Sequence, residues 1–354
     1  MSLARRFREI VSGERKGAVA AFARLLLSIA EVPYCLIVDA RNRRYDRKRA
    51  EIHAVAIPVI CVGNLTMGGT GKTPMVQYLA EWFRSHGVRV AIVSRGYRAE
   101  AGERNDEARE LSDKLPDVPH IQNPDRVAAA NLAVDELDMQ LILLDDGFQH
   151  RRLHRDLNLV LLDALQPFGY DHVFPRGMLR EPVRGLRRAD IAVLTRANAV
   201  TAERRRDIQQ RVRSIAPDLR WVEVAHQPTR LISRDASEPV ESLDGKRVLG
   251  FCGIGNPAGF RKTLDDCGAQ LLDFREFPDH HHYSRDDVQS LTDWATKHSP
   301  DLLVCTHKDF VKIEMDQLGE TPLRALVVEI QVTAGAGELD ESLQQIRQSI
   351  DASE

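Results

Sequence analysis

The segment Gly63-Asn-Leu-Thr-Met-Gly-Gly-Thr-Gly-Lys-Thr73 joins glycines to a Lys-Thr pair, between an apolar run ending at Val62 and a helical pattern from Pro74 to Phe83. Glycines let successive backbone N–H groups turn inward around phosphate oxygens, and the following helix adds the positive end of its dipole. In such a loop Lys72 reaches the β- and γ-phosphates and the Thr73 hydroxyl ligates Mg²⁺. Gly68, Gly69, Thr70, Gly71, Lys72 and Thr73 are therefore the expected nucleotide-binding residues. The general pattern asks for a glycine five residues before Gly71, where this chain has Thr66. A glycine-rich turn with an incidental Lys-Thr is the plain alternative.

A second chemical signal is Gln140-Leu-Ile-Leu-Leu-Asp-Asp-Gly-Phe-Gln-His150, an apolar run ending in two carboxylates. Mg²⁺ takes oxygen ligands, and a strand-end carboxylate beside a phosphate loop is how nucleotide-binding folds hold it. Asp145 and Asp146 are the candidates. Neighbouring side chains on a strand point to opposite faces, so one of the pair is expected to face the metal directly.

These residues need a scaffold that brings loops to one edge. Short apolar runs recur at Ile57–Val62, Val88–Val93, Leu141–Leu144, Leu157–Leu162, Ile191–Leu194, Arg247–Cys252, Leu302–Cys305 and Ala325–Ile330, separated by turns and helical patterns. Runs apolar on both faces predict strands covered on both sides, hence a mainly parallel sheet flanked by helices. The expected class is α/β of the P-loop NTPase type, with a second, smaller α/β domain and an N-terminal amphipathic helix. The polar, turn-rich stretch Gln227–Gly245 marks the expected boundary. Residues 1–50 read as a basic arm, 51–230 as the phosphate-loop nucleotide domain and 231–354 as the smaller α/β domain.

Charge is unevenly spread. Residues 1–50 hold 12 Lys/Arg against 5 Asp/Glu, and the remainder 37 against 47. A basic arm on an acidic body suggests that the arm meets something anionic. Val19, Phe22, Leu26 and Ile29 recur at helical spacing with Arg24, Ser28 and Glu31 on the opposite stripe, and clusters of Lys/Arg flank both ends. That pattern reads as an interfacial anchor on anionic lipid, although a helix packed on the body has the same spacing. Arg24, Glu31 and Pro33 interrupt the apolar stretch, so spanning a bilayer is not expected. No signal peptide is evident. Five scattered cysteines without a CxxC pair fit reduced thiols better than disulfides or zinc. An acidic body with no RNA or DNA motif argues against nucleic acid, and nothing calls for an obligate protein partner.

The segments GNLTMGGTGKTP, SRGYR (94–98), DDGFQHRRLHRDLN (145–158) and LREP (179–182) resemble those of the tetraacyldisaccharide 4'-kinases, the lipid A 4'-kinases. FCGIGNPAGF (251–260), PDH (278–280) and TxKD (306–309) extend the resemblance in the same order. It implies transfer of the γ-phosphate of ATP to the 4'-hydroxyl of an acylated glucosamine disaccharide 1-phosphate, with Mg²⁺, peripherally at the cytoplasmic face of the bacterial inner membrane. It implies Asp106, in Asn105-Asp106-Glu107, as the base and His280 as its partner, with Lys72 on the phosphates. It further implies Arg126, Gln149, His150, Arg180 and Glu181 as acceptor-binding residues. Read without it, Asp106-Glu107 is an acidic pair at a helix N-terminus. His280-His-His282 is then a surface loop or a metal site. Arg151, Arg152 and Arg155 are expected to form surface salt bridges.

A nucleotide switch shares the phosphate loop and the acidic strand end. Guanine readers often carry N/T-K-x-D after a strand. Thr306-His-Lys-Asp309 has its Lys one place late, and Thr195-Arg-Ala-Asn198 has Arg and Asn where Lys and Asp belong. A non-catalytic membrane-binding module would leave the loop and the carboxylates idle.

Overall fold

The computed structural model describes residues 3–96, 111–112, 114–279 and 281–352. Two compact units emerge: residues 3–96, 117–225 and 331–352 belong to the first, and 111–112, 114–116, 226–279 and 281–330 to the second.

In the first unit, helices α1 (Leu3–Val11) and α2 (Ala18–Asp46) precede β1 (Val59–Asn64) and α3 (Lys72–Ser85). Then come β2 (Val90–Ser94), β3 (His120–Gln122), β4 (Leu141–Asp145), β5 (Leu157–Asp163), β6 (Ile191–Thr195) and β7 (Arg220–Ile232). Strand order is β7-β6-β5-β1-β4-β2-β3, and every pairing is parallel. Strands β1, β2, β4 and β6 are buried at every residue, as runs covered on both faces must be. One covering layer includes Ala129, Ala130 and Ala133 of the helix Arg126–Asp135, packed with Cys61, Val93 and Leu144. The opposite layer includes Ile208 and Val212 of the helix Ala202–Ile215, packed with Val160, Leu162 and Leu194. Because β4 and β5 flank β1, the chain leaves in opposite directions on either side of it. The carboxyl end of β1 is thus the crevice where such sheets bind ligands.

The second unit holds β8 (Ser237–Pro239), β9 (Arg247–Cys252), β10 (Gln270–Glu276), β11 (Leu302–Thr306), β12 (Gln317–Leu318) and β13 (Thr321–Ala334). Here β10-β9-β11-β13 are parallel neighbours, with β8 and β12 as short antiparallel additions to β7 and β13. Its core gathers Leu249, Phe251, Leu291, Trp294, Leu303 and Leu323.

All eight apolar runs form strands. The boundary differs from the expected one. The chain passes between the units inside β7, at residues 225/226, and returns inside β13, at 330/331. The helix Ala336–Asp351 therefore joins the first unit, although its sequence position suggested the second. Its buried Leu339, Leu343, Ile346 and Ile350 specify an apolar stripe, and a stripe does not say which core it covers.

Helix α2 also departs from expectation. It runs unbroken for 29 residues through Pro33 and is long and apolar enough to cross a membrane by length and composition. The charges that looked like interruptions lie against protein. Glu31 accepts from the Val173 N–H at 2.6 Å and pairs with His172 at 3.0 Å, while Arg24 donates to the Ile10 and Arg15 carbonyls. The opposite side exposes Val19, Phe22, Leu25, Leu26, Ile29, Val32 and Leu36.

Candidate active site at the carboxyl end of the first sheet

Strand β1 delivers the chain to a loop pinned along its length. Arg180 N–H donates to the Leu65 carbonyl and Met67 N–H to the Met178 carbonyl, both at 2.7 Å. Thr66 bridges to Leu179, so the position where the general motif has glycine is an extended, paired residue here. The positive φ values fall instead on Gly68 (114°) and Gly71 (82°), which glycine adopts without the Cβ penalty. Buried Asn64 reaches across the loop from below, its Nδ2 donating to the Thr66 carbonyl at 2.8 Å and the Thr70 hydroxyl at 2.9 Å. Gly71 at the N-cap of α3 has no side chain to occupy the first-turn N–H groups, and a helix start of this kind suits an anion. Lys72 and Thr73 open that turn, and Thr73 is buried.

The acidic strand end meets this loop. Asp145 is buried at the last position of β4, level with Val62 of β1. Asp146 turns away with a left-handed φ of 50°, so the two carboxylates diverge because of the turn as well as the strand alternation. The Asp146 carboxylate accepts two 2.9 Å hydrogen bonds from Arg180 and lies 3.4 Å from Lys72 Nζ. Burial pushes this carboxyl up, but Lys72 and Arg180 outweigh it and hold it below the ordinary carboxylate range. Among the described residues no cluster of three His, Cys, Asp or Glu side chains is arranged to hold a metal. The donors present, a Thr73 hydroxyl and one or two carboxylates, fit Mg²⁺. That ion is bound through few protein oxygens together with substrate phosphates and water.

Arg126 is buried beside the same carboxylates, and among the described residues its Nε meets no hydrogen-bond partner. Burial lowers its pKa first, Arg95 adds to this, and Asp146 and Asp145 act in the opposite sense. A buried guanidinium with an unspent donor is costly unless something else uses it. His150 is pushed down to about 4 by burial and by Arg126, Arg155 and Arg152, so it is a neutral imidazole at neutral pH. Its Nε2 is likewise buried and meets no partner among the described residues.

Glu181 and Gln149 face inward. Glu181, 1% exposed, accepts from Arg188 at 2.8 Å, from Asn42 of α2 at 3.1 Å and from Gln149 at 3.0 Å. Gln149 also donates to the Asn64 carbonyl at 2.9 Å. Their polar atoms are committed to holding the loop and α2 together. The close approach behind them explains Gly63, where a Cβ would lie 2.5 Å from that of Phe148. Arg151 and Arg152 form the expected salt bridges, to Asp46 and Asp125. Arg155 does not: it is half-buried and donates to the Gly147 and His150 carbonyls, fixing the turn that follows the carboxylates.

Sequence reasoning passed over one part of the site. Thr195 Oγ1 donates to the Thr70 carbonyl at 2.9 Å, and Arg196 donates to the Gly69 carbonyl while pairing with Asp163 at 3.0 Å. The available signal was Thr195-Arg-Ala-Asn198, set aside because it is not a full guanine motif. The other near-match is closed off. In the second unit Asp309 is fully buried and accepts from Gly253 N–H at 3.0 Å, Tyr283 O–H at 2.9 Å and Thr306 O–H at 2.6 Å. A carboxylate so occupied reads no base. Asp106 and His280 lie outside the described residues.

A family model described as Tetraacyldisaccharide-1-P 4'-kinase matches residues 23–348. The chain is 36% identical to the tetraacyldisaccharide 4'-kinase of Anaeromyxobacter dehalogenans over 353 residues, covering 93% of this chain and 92% of that protein. It is 36% identical to that of Geobacter sulfurreducens over 343 residues, covering 92% and 94%. Among solved structures, LpxK from Aquifex aeolicus in complex with ATP matches with a TM-score of 0.74 at 30% identity, over 92% of this chain and 99% of that one. The match runs from within α2 through the phosphate loop and the acidic strand end to the last helix: the chain belongs to the tetraacyldisaccharide-1-phosphate 4'-kinase family.

Proposed function

We propose that this chain transfers the γ-phosphate of ATP to the 4'-hydroxyl of an acylated glucosamine disaccharide 1-phosphate, giving the 4'-phosphorylated lipid of lipid A biosynthesis. One observation carries the reading beyond a generic nucleotide enzyme: α2, with its exposed apolar face, is tied to the phosphate loop through Arg180, Glu181 and Gln149. One thread runs from Asn42 through Glu181 and Gln149 to the Asn64 carbonyl. A second runs from the Tyr34 hydroxyl to the Arg180 carbonyl, and from the Arg180 guanidinium through Asp146 to Lys72. A kinase whose acceptor carries acyl chains needs an apolar surface fixed relative to its phosphates, and α2 supplies one.

In this reading the first turn of α3 and Lys72 bind and orient the β- and γ-phosphates, stabilising charge on the transferring group. Thr73 and Asp145, with Asp146 beside them, would hold Mg²⁺, which supplies charge neutralisation between the phosphates when bound. Arg126 and Arg180 offer planar donor forks to an anionic acceptor. His150 is a neutral donor or acceptor for a sugar hydroxyl. Glu181 and Gln149 position the loop. Asp106 takes the hydroxyl proton and His280 orients it or tunes its pKa. In this reading the enzyme works at the cytoplasmic face of the bacterial inner membrane, and the N-terminal helices are its contact with the anionic surface.

The direct test is incubation of the purified protein with γ-labelled ATP, Mg²⁺ and the disaccharide lipid. Label should appear in the lipid and depend on all three components. Hydrolysis of ATP with no labelled lipid would refute the assignment.

A further inference from the structure

We infer that the turn following β6, Thr195-Arg196-Ala197-Asn198, seats the purine of the nucleotide, and that Asn198 makes the site select adenine over guanine. The inference rests on the reading that the Gly63–Thr73 loop holds the nucleotide phosphates.

The placement comes first. Strand order β1-β5-β6 puts the end of β6 two strand spacings, about 10 Å, to one side of the phosphate loop. That is comparable with the separation of phosphates and base in a nucleotide. The turn is also locked to the loop: Thr195 and Arg196 donate to the carbonyls of Thr70 and Gly69, and Asp163 at the end of β5 holds the Arg196 guanidinium. Arg196 has the left-handed φ of 55°, and the chain then makes the 3-10 turn Ala197–Ala199. Asn198 in that turn is exposed.

The chemistry comes second. Guanine presents two adjacent donors, N1–H and the 2-amino group, and a carboxylate accepts both. Adenine presents an acceptor, N1, beside a donor, the 6-amino group. A carboxamide matches that pair with its own N–H and C=O, and it lacks two acceptors to offer guanine. In the four-residue turn, Arg196 stands where a guanine reader has Lys, and it touches the loop backbone. Asn198 stands where that reader has Asp. The substitution converts the recognition edge from guanine to adenine. Arg196 is the positioning residue and Asn198 the specificity-determining one.

The experiment uses the full-length protein and equilibrium binding of fluorescent ATP and GTP analogues labelled on the ribose, so that no acceptor is required. Asn198→Asp should raise the GTP-to-ATP affinity ratio by roughly tenfold to a hundredfold, the discrimination of one bidentate base contact. Asn198→Ala should flatten the ratio by weakening ATP alone. Arg196→Ala should weaken both nucleotides and blur the ratio, with Arg196→Lys restoring it; a merely structural role would lower the melting temperature and leave the ratio in place. Ratios within twofold of the parent in both Asn198 variants, while Lys72→Ala loses both nucleotides, would overturn the inference and leave the phosphate loop standing. Undiminished binding in Lys72→Ala would overturn the phosphate-loop reading and this inference with it.

Discussion

Replacing Phe22, Leu26 and Ile29 of α2 together by Ser tests whether the apolar face is a membrane-binding surface. In the folded protein these side chains are 61%, 51% and 62% exposed. Full burial of such a side chain contributes about 1.5–3 kcal/mol. Scaled by the exposed fractions, the three together supply about 3–5 kcal/mol on entering the interfacial region. At tenfold per 1.4 kcal/mol, the triple variant should bind vesicles roughly two to four orders of magnitude more weakly. The fold should tolerate the change, because side chains already in water lose little packing, apart from the modestly lower helix propensity of Ser. The assay is flotation with liposomes containing anionic lipid, at low and high salt, alongside thermal melting. The basic residues flanking the helix add about 1 kcal/mol each near an anionic surface, and salt screens them. The residual binding of the variant should therefore be the salt-sensitive part. Unchanged flotation at both salt concentrations would refute the reasoning. A large drop in melting temperature would show instead that the face packs against protein.

The remaining expectations concern chemistry. Lys72→Ala should nearly abolish turnover with the fold intact, since it removes charge stabilisation from the transferring phosphoryl group; activity within tenfold of the parent would contradict this. Asp145→Asn and Asp146→Asn should both impair Mg²⁺-dependent turnover, unequally, because one carboxylate is buried on β4 and the other is held by Lys72 and Arg180; parent-like metal titrations in both would make the acidic strand end structural. Asp146 also carries a pH signature. Its folded-state pKa is lowered, so its pairing stabilises the protein above the unfolded value and is lost as pH falls through the folded one. Acid unfolding curves of Asp146→Asn should lack that component. Asp106→Ala and His280→Ala should each cost about 10²- to 10⁴-fold in kcat, and the double variant little more than the poorer single one; multiplicative losses would separate the two residues.

The sequence by itself specified the elements whose cause is local. Eight strands were legible because a strand buried on both faces must be apolar throughout. The phosphate loop and the acidic strand end were legible because their chemistry needs contiguous residues. The less regular strands were not: β3 has intermediate exposure throughout, β10 is exposed along much of its length, and β7 mixes Glu223, His226 and Arg230 with its apolar residues.

Only the tertiary structure decided how single side chains are used, because a hydrogen-bond partner distant in the chain leaves no mark on local pattern. Glu31 and Arg24 looked like breaks in an apolar helix until Val173, His172 and two carbonyls proved to satisfy them. Arg155 looked like a surface charge and is a half-buried brace for the turn after Asp146. Glu181 matched a motif, and its carboxylate is spent on Arg188, Asn42 and Gln149. Asp309 and Asn198 sat in equally imperfect matches to one motif. Burial closed the first, and two hydrogen bonds to the phosphate loop gave the turn containing the second its place.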